Sequence, residues 1–272
     1  MGNKSINETI KERRSVRTFD GKGVSEEEKA QLIKTAEEAV NPYGIDVETR
    51  VLDAGEHGLK SPVIAGADTY VAMKLERQPH FEEALGYSFE KFCLDAWELG
   101  FGTTIIGGTM NRPAFEDAMA LEDGQLMPVV TPIGRVAKRM SIKEVAMRKG
   151  VGADKRRAFG DLFFSESFER PLTAGDAGEL AEILEMVRLA PSAVNKQPWR
   201  LVVSGNKVHF YLKPDKGFVS DSVGDMQKID MGIAICHFCL AAAEKGMETK
   251  LEIADPGLET AAGTEYIATI VL

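Results

Sequence analysis

The chain has 272 residues, 44 % of them apolar and 28 % charged, with a formal net charge of −9. Such values suit one large globular domain or two small ones with a sizeable core. The acidic balance argues against a general nucleic-acid binder, which needs a positive face, but leaves room for a local basic pocket. No apolar run approaches the roughly 20 residues of a bilayer span, and the opening "MGNKSINETIKERR" lacks the apolar core of a signal peptide. Gly2 with Asn3 and Ser5 loosely fits a myristoylation pattern and is read as chance. Three cysteines suggest no disulfide framework. The expectation is a cytoplasmic protein without nucleic-acid or membrane partners.

In chain order, "VSEEEKAQLIKTAEEAV" (24–40) predicts a helix, with Ser25 as N-cap and Glu28 at the capping-box position. "NPYG" (41–44) stops it. "TYVAMKL" (69–75) predicts a strand, "FEEALGYSFEKFCLDAWELG" (81–100) a long buried helix, and "MPVVTPIG" (127–134) an apolar strand interrupted by Pro132. A similar order then returns. "AGDAGELAEILEMVRLA" (174–190) predicts a helix, and 200–213 a hairpin turning at Gly205-Asn206. "DMGIAICHFCLAAAEKG" (230–246) predicts a buried helix, and "TEYIATIVL" (264–272) a final strand.

Letters repeat as well as order. "FCLDAWELGFGT" from Phe92 and "FCLAAAEKGMET" from Phe238 share Phe, Cys, Leu, Ala, Glu, Gly and Thr at a constant offset of 146. Together these favour an internal duplication of a helix-rich α+β unit, two copies packing as a homodimer would. The expected division is a first half at 1–150, a linker at 151–172 and a second half at 173–272. The basic run from Arg135 to Arg157 is read as a solvated linker or helix face.

Four segments could carry chemistry. "RRSVR" (13–17), if extended, puts Arg13, Ser15 and Arg17 on one side as an anion clamp. Taken alone, it reads as an exposed helix end with surface arginines. "APSAVNKQPWR" (190–200) breaks a helix at Pro191 and can turn Ser192 and Asn195 toward a ligand, with Trp199 packing beneath. The plainer alternative is a decorated helix-to-strand loop. "LGFGTTIIGG" (99–108) lacks the third glycine of a dinucleotide fingerprint, having Ile105 there, and its Gly107-Gly108 pair suggests backbone approaching something flat. "CHFC" (236–239) lies inside an apolar helix with no second ligand pair, and His57, His80, His209 and His237 show no ligand spacing, so no metal site is expected. Segments 76–90 and 215–228 are lid candidates on position alone.

Together "RRSVRTF", "APSAVNKQPW", "LGFGTTIIGG" and "PIG" followed by a basic tail resemble the nitroreductase family of flavoproteins. Pro-Ser-x-x-Asn-x-Gln-Pro-Trp is the most specific element. The resemblance implies an α+β fold of three-layer α/β/α architecture, with two degenerate copies forming a pseudo-dimer within the chain. It also implies FMN at the junction of the halves. The implied FMN contacts are Arg13, Arg14, Ser15 and Arg17, the loop at Ile105, Gly107 and Gly108, and Lys138 with Arg139. The other half would add Pro191, Ser192, Ala193, Asn195 and Gln197. Arg13 with Lys138 or Arg139 would hold the phosphate, and Arg17 would face the N1/C2-carbonyl edge. A backbone N–H near Gly107–Gly108 would face N5. The first half has "NPYGIDVETR" where the Pro-Ser-Asn motif should stand, and the second lacks both RRSxR and a basic tail. One FMN per chain is therefore expected, with a monomer favoured over a homo-oligomer. The implied activity is NADH- or NADPH-dependent reduction of a small acceptor, such as a nitroaromatic or quinone, by a ping-pong scheme in which the flavin carries the chemistry. The alternatives are a non-catalytic FMN carrier or sensor, a related flavin chemistry such as dehalogenation, and an interaction protein without flavin.

Overall fold

A computed structural model describes residues 4–272, so Gly2 and Asn3 lie outside the described residues. The first part of the chain forms α1 (Ile6–Glu12), α2 (Glu26–Glu37), β1 (Glu48–Asp53), α3 (Ala54–His57), β2 (Thr69–Glu76), α4 (Phe81–Glu98), α5 (Arg112–Ala118), β3 (Gln125–Leu126) and β4 (Val130–Ile133). A crossover follows with α6 (Ile142–Gly150), α7 (Phe159–Leu162) and β5 (Phe163–Ser165). The last part holds α8 (Leu180–Leu189), β6 (Trp199–Ser204), β7 (Lys207–Leu212), β8 (Val219–Ser220), β9 (Gly224–Asp225), α9 (Met226–Glu244), β10 (Lys250–Glu252) and β11 (Glu265–Val271).

The α+β expectation holds, and the repeated order is visible in space. In the first sheet β2 is flanked by antiparallel β1 and β4. In the second, β7 is flanked by antiparallel β6 and β11. So α2–β1–β2–α4–β4 has its counterpart in α8–β6–β7–α9–β11. At the centre α4 packs on α9. A Cβ on Gly86 of α4 would lie 2.0 Å from the Ile229 carbonyl oxygen, and one on Gly232 of α9 would lie 2.0 Å from that of Glu83. Both pairs map onto each other at the offset of 146, so the contact is reciprocal, as across a two-fold dimer interface. Only glycine lets two helix backbones approach this closely.

Boundaries differ from the sequence expectations for local reasons. Ser25 and Glu28 do form a full capping box. The second-half helix starts at Leu180 rather than 174, because a Thr173–Asp176 turn and left-handed Gly178 (φ 55°) precede it. α9 starts earlier, at Met226, because Asp225 accepts from the Gln227 N–H as N-cap. By length and composition α9 could cross a membrane, yet 78 % of that stretch is buried inside the molecule as its core helix. Residues 163–165 of the segment read as a linker pair in parallel with β6 and extend the second sheet. The strand β4 is shorter than 127–134, and Pro132 stands within it.

Candidate functional site

A recess of about 790 Å³ lies within the roughly 300–1,000 Å³ range of small-molecule and cofactor sites. Its wall draws on segments far apart in sequence: Arg13 to Arg17, Thr104 to Thr109, Met147 to Arg156, Pro191 to Asn195, and the Gly217–Asp230 region. Arg13, Arg14, Ser15, Arg17, Ile105, Gly107, Gly108, Pro191, Ser192, Ala193 and Asn195 are thereby brought to one place. The segments 13–17 and 190–195 meet there because α1 leans on α8 and α9 and delivers 13–17 to the mouth of the α8–β6 loop.

The N-terminal strip is extended beyond α1. Arg13 has φ −58° and ψ 135° at the helix C-cap, and Ser15 bridges Thr103 in parallel, so the chain leaves the helix as a strand. Arg13 turns inward: its side chain is only 7 % exposed and its Nε stands 3.3 Å from Glu90, which is wholly buried on α4. Glu90 also receives His237 Nε2 at 2.9 Å, and His237 Nδ1 donates to the Met186 carbonyl. Burial pushes the Glu90 carboxyl up, but Arg13 and His237 outweigh it and hold it below the ordinary value. His237 of the "CHFC" stretch is thus engaged in a buried hydrogen bond with Glu90, with Cys236 and Cys239 buried on the same helix.

The other guanidiniums differ in how far they are neutralised. Arg14 faces Glu144 at 3.4 Å, and Arg148 pairs with Asp154. Arg17 and Arg156 have no carboxylate partner among the described residues. Burial pulls the pKa of each below the usual guanidinium value; for Arg156, the neighbouring Arg13 and Arg188 add to it. Arg156 uses Nη1 and Nη2 on the carbonyls of Ala153, Lys155 and Leu189, and its Nε is buried without a partner. Half-buried cations without an ion-pair partner suit an anionic ligand.

Two expected phosphate contacts fall elsewhere. Lys138 and Arg139 are exposed and do not line the cavity. The chain is pinned just before and after them, by Ala137 N–H donating to Thr18 O and by Ser141 meeting Thr18 Oγ1, so the pair loops into solvent. Ser141 then caps α6, which brings Arg148 to the wall instead. Gln197 is likewise outside the wall. It is buried, accepts from the Arg157 N–H at 2.8 Å and donates to Asn195, so it braces the loop.

The 190–200 loop carries unusual backbone: Val194, Asn195 and Gln197 have φ of 50°, 57° and 52°, a left-handed region that residues with a Cβ enter at a cost. Asn195 Nδ2 donates to the carbonyls of Gly152 and Lys155, tying the loop to the crossover. The Ala193 N–H is spent on both carboxylate oxygens of Asp230, at 2.9 and 3.1 Å. Asp230 is buried at the cavity wall, and burial raises its pKa well above the usual carboxylate value. Trp199 is completely buried, as expected.

On the opposite side, the N–H groups of Gly107 and Gly108 donate to no protein acceptor among the described residues. Arg112 fixes this turn by donating to the carbonyls of Gly107, Met127 and Pro128. A Cβ on Gly107 would meet Met226 Cε at 2.1 Å, whereas one on Gly108 would meet nothing within 4 Å. Thr104 Oγ1 is buried there without a partner. Of the two lid candidates, 81–90 is buried helix α4, while Gly217 to Ser220 does border the cavity and Val219 is 71 % exposed.

Arg148, Arg156, Met226 and Asp230 were not foreseen as site residues. The two arginines were visible only as members of a basic run. The other two lie at the start of a helix whose burial hid its one cavity-facing turn.

A family model described as "Putative TM nitroreductase" matches residues 5–242. The crystal structure of a putative nitroreductase from Thermotoga maritima is similar at 20 % identity with a TM-score of 0.66, covering 100 % of this chain and 95 % of that one, a likeness of fold. An FMN-dependent nitroreductase from Clostridium difficile matches at 17 % identity and TM-score 0.41, over 52 % of this chain and 94 % of its own. A nitroreductase-like family protein from Bacillus cereus matches at 21 % and 0.40, over 53 % and 96 %. No protein of curated function matches the chain.

Proposed function

The chain belongs to the family described as "Putative TM nitroreductase", and from that premise we propose that it is an FMN-dependent oxidoreductase that takes electrons from NADH or NADPH and passes them to a small acceptor such as a nitroaromatic or quinone. The observation that carries the reading is the donor set of the cavity: two unneutralised guanidiniums, Arg17 and Arg156, facing free backbone N–H groups at Gly107 and Gly108. The residues present fit FMN. The volume suffices, the buried Nε of Arg156 and Oγ1 of Thr104 lack partners, and the glycine turn leaves open backbone where a flat ring needs close approach.

When bound, FMN supplies the redox chemistry, accepting and returning two electrons. Arg156 and Arg148 take over the phosphate-holding role expected of Lys138 and Arg139. Arg17 offers its cation where negative charge grows on reduction. The Gly107–Gly108 turn presents N–H donors to a ring acceptor atom, held in place by Arg112. Glu90 and His237 keep Arg13 fixed at the seam of the halves, and Asp230 holds the Pro-Ser-Asn loop through the Ala193 N–H.

We further read the chain as two halves, 1–150 and 173–272, sharing one site. At the offset of 146, the cavity residues Met226 and Ile229 correspond to His80 and Glu83. Tyr43, from the α2–β1 loop that matches the Pro-Ser-Asn loop, stacks on His80 at 5.7 Å and 23°. Aromatic packing thus occupies the mate position.

Anaerobic addition of NADH or NADPH to the FMN-loaded protein tests the activity. Loss of the visible flavin band, restored by a nitroaromatic or quinone, is the expected result. Flavin that binds but never bleaches with either nucleotide would reject turnover and leave a carrier or sensor.

A further inference from the structure

A second recess lies next along the same loop. Asn195 lines the main cavity, while Lys196, Gln197 and Pro198 line a separate recess of about 110 Å³. Four cationic side chains, Arg157, Lys196, Arg200 and Lys213, surround it against one carboxylate, Asp215. The two recesses are neighbours, since Lys196 Nζ sits 6.0 Å above the ring of Phe218, a wall residue of the cavity.

Arg200 is the informative member. It is only 8 % exposed, on β6 directly after Trp199. Its Nη1 donates to the carbonyls of Gln197 at 3.1 Å and Trp199 at 2.6 Å. Its Nε and Nη2 meet no protein acceptor among the described residues, and Arg200 lines the recess. Asp215 does not neutralise it: that carboxylate accepts from Lys196 Nζ at 3.0 Å and Gln227 Nε2 at 3.2 Å. Arg157, Arg200 and Lys213 have no ion pair among the described residues.

A buried guanidinium beside a second arginine, with two donors free, is a costly arrangement unless an anion completes it. Burial first, and then Arg157, push the Arg200 guanidinium down to about 10. Arginine's planar fork is suited to two oxygens of one oxyanion, and lysines add point charge. At about 110 Å³ the recess has room for a single tetrahedral oxyanion.

We propose that this recess is a binding site for a phosphomonoester group, held by the Nε–Nη2 edge of Arg200 and enclosed by Arg157, Lys196 and Lys213. The group could arrive as a free phosphate, or as the 2′-phosphate of a nicotinamide nucleotide whose other end reaches the main cavity. The second source rests on the oxidoreductase reading; the first does not.

Calorimetric titration with inorganic phosphate, in a phosphate-free buffer of low ionic strength, on protein loaded with FMN and freed of unbound FMN, tests the site directly. One saturable site per chain is expected. Its affinity should fall at least tenfold in Arg200→Gln and in the surface double variant Arg157→Gln/Lys213→Gln, which spares the buried position and so keeps the fold. No saturable binding in the wild type, or binding that survives the double variant and disappears in Arg17→Ala, would overturn the proposal. Steady-state kinetics then separate the sources. A KM for NADPH raised about tenfold in the double variant, with NADH unchanged, assigns the site to the nucleotide. Lost phosphate binding with both KM values unchanged assigns it to a free phosphate.

Discussion

Arg17, half-buried, and Glu83, fully buried, are two ionisable groups with opposite consequences. Arg17 makes no ion pair among the described residues and lines the cavity, where its charge can meet a ligand. A charge-assisted hydrogen bond is worth about 1.5–3 kcal/mol. For a two-electron couple that corresponds to roughly 30–60 mV. Arg17→Ala is therefore expected to make the bound flavin's midpoint potential more negative by about that amount, measured by anaerobic redox titration. An unchanged potential would remove Arg17 from its assigned role. Glu83 sits at the position equivalent to a cavity residue, 2 % exposed, with Oε2 unpartnered, and burial pushes its carboxyl up to about 7. An acid raised above its ordinary value favours the fold only while protonated. Its contribution is complete below about pH 4.5 and is lost as pH rises through 7. Glu83→Gln should then stabilise the protein by about 3 kcal/mol at pH 8 but by less than about 1 kcal/mol at pH 5. Urea denaturation at both values checks this, and an equal gain at the two would contradict it.

Among the elements, α4 and α9 pack backbone against backbone at Gly86 and Gly232. Forcing a methyl between two helix backbones costs at least the roughly 1–3 kcal/mol of ordinary overpacking, because the obstruction is a carbonyl and not a flexible side chain. Gly86→Ala and Gly232→Ala should each lower the melting temperature by several degrees. Gly108→Ala, which meets empty space, should melt with the wild type. Equal melting of all three would deny the close crossing. Much of this level was legible in the letters. The repeat of "FCL…E.G..T" already paired α4 with α9, and the cap at Ser25 and the turn at Gly205-Asn206 read directly. What escaped detection had no local signature. "FFS" becomes β5 only because the edge of β6 is open to it. A basic run looks the same whether it is solvated, like Lys138 and Arg139, or turned inward, like Arg148 and Arg156. Glu90 gains its meaning from His237, whose position lies 147 residues away. The helix α1 did carry a signal, since Ser5 and Glu8 form a capping box that sequence reading passed over.

At the scale of the whole molecule, the proposed reading is a dimer-like pair that keeps one composite site, with Tyr43 and His80 filling its mate position. The Arg-Ser strip and glycine turn come from one half, and the Pro-Ser-Asn loop and the first turn of α9 from the other. The motifs that line the cavity were legible as letters. The filling of the mate position was not, because it depends on Tyr43 reaching His80 across a turn and a sheet. A ligand bound only by the folded state adds stability by mass action, about 2.7 kcal/mol at a hundredfold excess over its Kd. FMN should therefore raise the melting temperature of the wild type, and less so in Arg156→Gln. The most direct test of a single composite site is the amount of FMN released per chain from protein saturated with FMN and freed of excess. One FMN per chain is the predicted result. Two per chain would show that the Tyr43–His80 side is a working site, and none would show that the cavity does not hold flavin.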